Sequence, residues 1–214
     1  MKRWLGVAVV VSVLGGAAQA APCDNALNPV KAWTWRYQTA PKKAGEAVTH
    51  YELKRTPGEA TYQDEVLNGS KNPIAFKYKC VQGGHVNISV PQMPGTTITR
   101  LVAKGLTTPP QSAWKPGFAW TYNLALEGRR GVLGGSGAFD SAYRVVGRES
   151  VTVPAGTFDA WKVVADNTAL AKLGAITLFN QRSTSAAWYA EGVGLIKSDD
   201  QRGLTELLSI EKGE

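Results

Sequence analysis

The chain has 214 residues, with 24 Lys and Arg against 17 Asp and Glu, a net charge of +7, two His and two Cys. Its basic residues are scattered, as at Lys42-Lys43, Lys54-Arg55, Lys77 and Lys79, and Arg129-Arg130. No block of like charge or recognition motif supports a nucleic-acid partner, so none is expected. His50 and His85 have no second His or free Cys at ligand spacing, so no metal site and no cofactor are predicted.

In chain order, Met1-Lys2-Arg3 is a positive start, Trp4–Leu14 (WLGVAVVVSVL) an apolar run, and Ala18-Gln19-Ala20 a small-residue cleavage signature. Together they predict a signal peptide over 1–20, cleaved near Ala20-Ala21, and an exported mature chain, periplasmic or extracellular, over 21–214. No later run reaches the roughly 20 apolar residues of a transmembrane helix. Acylation of Cys23 is disfavoured, because Pro22 stands where such signals need a small residue other than proline. In an oxidising compartment the pair Cys23 and Cys80 predicts a disulfide. In the loop-entropy view it contributes roughly 4 kcal/mol.

Beyond the leader, alternation at period two recurs, which is the signature of strands. Trp33, Trp35 and Tyr37 share one face of WTWRYQT. Tyr51 and Leu53, then Ile74, Phe76, Tyr78 and Cys80, then Val86, Ile88 and Val90 repeat the pattern. Pro91, Pro94, Pro109 and Pro110 mark residues 93–112 as a connector between an N-terminal half (21–92) and a C-terminal half (113–214). Trp120, Tyr122, Leu124 and Leu126 resume the alternation, and 186–189, 194–198 and 204–210 close it. Asn68-Gly69, Gly83-Gly84 and Pro116-Gly117 are turn signals, and only ALAKLG (169–174) hints at a helix. The expected fold is one all-β domain with at most one short helix: a strongly curved antiparallel sheet or half-barrel.

The chemistry-bearing candidates are few, and no catalytic residue is assigned. GGSGA (134–138) departs from a nucleophile elbow at Ala138, and no His follows Ser136, so it reads as a hairpin tip. Asp64, Glu65, Glu127, Asp140, Asp199 and Asp200 could form a hydrolase's carboxylate pair only if distant residues converge. Seven Trp and seven Tyr remain as the strongest signal. Trp33, Trp35, Tyr37, Trp120, Tyr122 and Trp188 are candidates for lining an apolar pocket on the concave face, against the alternative that they fill the core. The function expected is a non-catalytic binding protein holding an apolar small molecule or an envelope protein. The alternatives are an envelope structural protein without a ligand and a carboxylate-based hydrolase.

Two stretches carry a resemblance: VPAGTFDAWKV (153–163) and WYAEGVGLIK (188–197). With Pro110, Gly117 and Trp120 before them, residues 105–210 resemble a family of exported bacterial proteins of unknown function. The resemblance implies a curved antiparallel sheet similar to periplasmic carriers of lipid or lipoprotein acyl chains, and supplies no catalytic residues. In these motifs Pro154 with Gly156, and Gly192 with Gly194, are expected to set two turns, since Pro removes a ladder donor and Gly tolerates positive φ.

Overall fold

The computed structural model describes residues 23, 25–70, 72–92 and 94–213, so the expected leader lies outside the described residues. Each alternating run becomes a strand: β1 (Trp33–Pro41), β2 (Thr49–Pro57), β3 (Thr61–Leu67), β4 (Ile74–Val81), β5 (Gly84–Asn87) and β6 (Thr96–Gly105). The second half supplies β7 (Ala119–Arg130), β8 (Leu133–Val153), β9 (Gly156–Leu173), β10 (Ile176–Ala190), β11 (Gly194–Asp199) and β12 (Gly203–Lys212). Among the described residues these form one sheet, ordered β5-β4-β3-β2-β1-β12-β11-β10-β9-β8-β7-β6, with antiparallel neighbours throughout.

Chain neighbours pair, as close strands do, except β5 and β6, which stand at the two ends of the order. The pairing of β1 with β12 joins the first strand to the last, from Trp33 opposite Lys212 to Pro41 opposite Gly203. At the ends of the order the sheet nearly closes. His85 in β5 bridges Thr108, just beyond β6, with His85 N–H donating to the Thr108 carbonyl and Thr107 N–H to that of His85, both at 2.8 Å. The result is a strongly curved, nearly closed barrel, which leaves few unpaired edge groups to solvent.

Three expectations about local structure are corrected. The stretch 93–112 is not only a connector, because it contains β6. Its prolines bracket the strand rather than interrupt it, and β6 sits at the end of the order, where they are tolerated. ALAKLG is the end of β9, not helix: Ala169, Ala171 and Leu173 alternate with Leu170 and Lys172 across the sheet. GGSGA is no hairpin tip; it lies in β8, and the turn falls at Gly131-Val132. The one helical element among the described residues is a 3-10 turn at Gln111–Ala113, so no helix there is long and apolar enough to cross a membrane.

The core divides into three clusters. Trp35, Tyr37, Ile196 and Leu207 pack with Val151, Val153 and Ala160 where the β8–β9 hairpin meets β12, and Ala155 N–H donates to the Leu207 carbonyl. Leu27, Trp114, Val145 and Val163 form a second. Cys23, Tyr62 and Cys80 form the third, around the Cys23–Cys80 disulfide that ties the segment before β1 to β4.

Strand length decides the overall form. β2 to β5 run four to nine residues, whereas β7 to β10 run 12, 21, 18 and 15. At roughly 3.3 Å per residue, β8 would reach about 70 Å if straight. The long strands therefore project beyond the closed part of the barrel as a curved wing.

Candidate functional site

Register identifies the inner face of the wing. Tyr143 lines an interior cavity together with Tyr37, Tyr51, Tyr62, Tyr78 and Tyr189. Side chains two residues apart on a strand, and residues paired across strands, share a face. Continuing along β8 from Tyr143, the same face carries Ser141, Phe139, Gly137 and Gly135. One row then reads Tyr122, Ser141 and Asn167; the next Leu124, Phe139 and Ala169; the next Leu126, Gly137, Ala171 and Phe179. The interior thus has two regions in series, divided by a polar row.

The first region is a cavity of about 300 Å³ ringed by tyrosines. Its fixed point is the Arg55–Asp64 pair. Arg55 on β2 lies opposite Asp64 on β3. Arg55 Nε and Nη2 donate to the two carboxylate oxygens of Asp64, each at 2.7 Å, and both side chains are buried. Nη1 donates to Asn28 Oδ1 and to the Pro29 carbonyl at 2.8 Å. The guanidinium lies 4.4 Å from the Tyr62 ring centroid and 5.1 Å from that of Trp35. A buried charge needs such complete coordination to offset its desolvation. Burial alone acts against the Arg55 charge, but the hydrogen bonds and field of Asp64 hold its pKa above the ordinary value.

Burial raises the pKa of the surrounding tyrosines. Tyr51 is pushed up to about 12, and Tyr37, Tyr62, Tyr78 and Tyr189 are raised well above the usual phenol range, each mainly by desolvation. His85 is pushed down to about 4, first by burial and then by the Arg55 charge. The Asn28 amide donates to its Nδ1 at 2.8 Å, which makes Nδ1 the acceptor of a neutral ring. The closed region is therefore a set of neutral phenols and one neutral imidazole around one matched ion pair.

The polar row follows. Ser141 Oγ donates to Asn167 Oδ1 at 2.6 Å, and Asn167 Nδ2 donates to Ser185 Oγ at 3.2 Å. Beyond it lies the second region, an open groove of about 390 Å³. Leu124, Leu126, Phe139, Leu173 and Phe179 form its walls, with Val90 and Ile98 at one side. Gly135, Gly137, Ala169 and Ala171 form its floor, and these small residues create the space: a Cβ on Gly137 would stand 3.2 Å from Leu126. Arg129, Arg130 and Lys172 rim its far end. The volume lies within the roughly 300–1,000 Å³ of ligand pockets, and the apolar wall with a few polar groups matches their usual chemistry.

The six aromatic candidates do not form one site. Trp35 and Tyr37 line the tyrosine cavity, where the indole N–H donates to the Val193 carbonyl at 2.8 Å and the phenol to that of Leu195 at 2.9 Å. Trp33 borders a separate cleft beside Cys23 and Pro57. Trp120 is held in a stack between Tyr143, 4.9 Å away, and Phe118, 5.8 Å away. Tyr122 donates to the Asn87 carbonyl at 2.8 Å, bracing β7 against β5. Trp188 sits between the Lys162 and Lys197 ammonium groups and donates to Glu149 at 2.5 Å. The groove is lined instead by Leu, Phe, Ala and Gly. Its signal in the sequence was the alternation of small residues in β8 and β9, which says nothing until register aligns the two strands.

The candidate carboxylates are spread over the sheet. Asp64 is committed to Arg55, and Glu65 accepts from Gln63 at 2.8 Å. Glu127 pairs with Arg100, Asp140 accepts from Asn123, Asp199 pairs with Lys42 and Asp200 with Arg202.

Turn residues of the two sequence motifs are placed as follows. Pro154 and Ala155 make the turn between β8 and β9, and Gly156 opens β9 at φ 136°. Gly192, at φ 73°, lies in the turn before β11, and Gly194, at φ 92°, opens that strand.

Comparison with known proteins gives a fold and a family-model match over the C-terminal third of the chain. Residues 141–211, from mid-β8 into β12, match the family model described as DUF3108-like. Two solved structures share the architecture. One, from Bacteroides fragilis NCTC 9343, is described as an exported protein with a YmcC-like fold; at 14% identity and a TM-score of 0.54 it covers 89% of this chain and 100% of its own. The other, described as a lipoprotein from Parabacteroides distasonis ATCC 8503, is 17% identical with a TM-score of 0.54, covering 88% and 99%. At such identities the likeness is one of fold. No curated protein matches the chain.

Proposed function

We propose that this is an exported envelope protein that holds the apolar chain of an amphiphile in the groove of β7–β10. The observation that carries the reading is the floor of Gly135, Gly137, Ala169 and Ala171 beneath walls of Leu124, Leu126, Phe139 and Phe179. Among the described residues nothing fills this space, and Phe139 and Phe179 stay exposed there at 36% and 45%. Burying apolar area of this kind is worth about 25 cal/mol per Å², which favours an acyl chain over water along the groove. The basic rim of Arg129, Arg130 and Lys172 complements a negatively charged head group. The exported and lipoprotein descriptions of the structurally similar proteins support an envelope location.

Delipidated protein titrated with cis-parinaric acid tests the proposal. Saturable fluorescence enhancement is expected, and Gly137→Leu and Ala171→Phe, which fill the groove, should abolish it while thermal unfolding stays cooperative. No uptake by the wild type, or uptake unaffected by both substitutions, overturns the reading and favours a structural envelope protein without a ligand.

A further inference from the structure

The ends of the wing's two hairpins expose more apolar surface than any other part of the described chain. Val132 is 97% exposed, Ile176 66%, Leu178 60% and Leu133 52%. The tips are one surface rather than two: Gly174 N–H donates to the Gly134 carbonyl at 2.7 Å, and Gly135 pairs with Leu173. Gly131 and Gly174 turn the chain at φ 62° and 58°, conformations that glycine adopts at little cost.

The charge around these tips has one sign. Arg129 and Arg130 precede the first turn and Lys172 the second, while residues 128–139 and 167–190 contain no Asp or Glu. Apolar side chains in front of cationic ones are the arrangement by which a protein edge enters a lipid interface, with the basic groups at head-group level. A symmetric contact between two copies would instead bring Arg129, Arg130 and Lys172 against themselves. We propose that the paired β7–β8 and β9–β10 tips dock onto an anionic lipid bilayer. The proposal goes beyond the acyl-chain reading, since it requires no ligand in the groove; if both hold, docking sets the basic end of the groove at the membrane.

Co-sedimentation with phosphatidylcholine vesicles, with and without phosphatidylglycerol, tests it. Binding is expected with phosphatidylglycerol, should weaken in high salt, and should fall about tenfold or more in Val132→Asp/Ile176→Asp, which puts two negative charges where apolar side chains would enter the lipid. Neither residue lines the groove, so cis-parinaric acid uptake without vesicles should survive in that variant. Gly137→Leu should do the converse, losing the probe while keeping the vesicles, so each proposal fails by its own measurement. The docking proposal is overturned if the wild type does not sediment with anionic vesicles, or if the double substitution leaves sedimentation unchanged. It is also overturned if ultracentrifugation shows a dimer that the substitution dissolves, in which case the tips join two copies of the chain.

Discussion

The two ends of the barrel solve opposite problems with the same secondary structure. At the closed end, short strands bring polar groups inside and pair most of them: Arg55 with Asp64, Asn28 and Pro29, and His85 Nδ1 with Asn28 and Tyr62, which leaves only the His85 Nε2–H without a partner among these groups. At the wing, long strands carry apolar groups beyond the point where β1–β5 can cover them. One end spends its chemistry on itself and the other leaves surface for a partner. Substitutions at the closed end should therefore cost stability, and substitutions in the wing should cost binding.

The largest effect is expected at Arg55. Arg55→Ala leaves Asp64 buried without its partner and should lower unfolding free energy by about 3–5 kcal/mol in urea titration. Arg55→Met with Asp64→Leu should recover most of that loss; equal damage in the double variant would show that the pair is not the unit of stabilisation. Removing the Cys23–Cys80 disulfide by Cys80→Ala should cost roughly 4 kcal/mol by the same measurement, and retained stability would show that the closed end does not depend on the tether.

Acid should act at the same end. His85 is neutral in the folded chain down to about pH 4, whereas the unfolded chain takes up the proton near 6.5. Between these values the unfolded state binds more protons, so stability should fall as pH drops through the window, by roughly 3 kcal/mol at its lower end. Thermal unfolding of His85→Gln should show a flatter profile over that range; an unchanged profile would remove His85 as the cause.

Smaller effects separate the two regions further. Gly156→Val would bring its Cβ into ordinary van der Waals contact with Phe158, 3.8 Å away, but onto a backbone at φ 136°, so it should cost about 1 kcal/mol and leave probe uptake unchanged. Phe179→Ser should change stability by less than about 0.5 kcal/mol, as exposed sites do, yet weaken cis-parinaric acid binding several-fold. Binding lost through Gly156→Val, or stability lost through Phe179→Ser, would dissolve the distinction between the ends.

By itself the sequence determined the class of fold. The two-residue period of runs such as WTWRYQT, the close spacing of turn signals and the lack of a βαβ rhythm leave antiparallel strands as neighbours. The Cys23–Cys80 pair was legible too, because only two cysteines exist to pair. Tertiary structure alone decided which faces meet. Alternation says that Trp35 and Tyr37 share a side, but register and curvature place them in a tyrosine cavity, leave Trp188 between two lysines and align Gly137 with Ala171. Arg55 and Asp64, nine residues apart, were ordinary charges until β2 paired with β3. Local pattern is a property of one strand, whereas a cavity or groove belongs to the shift between strands, which no single run encodes.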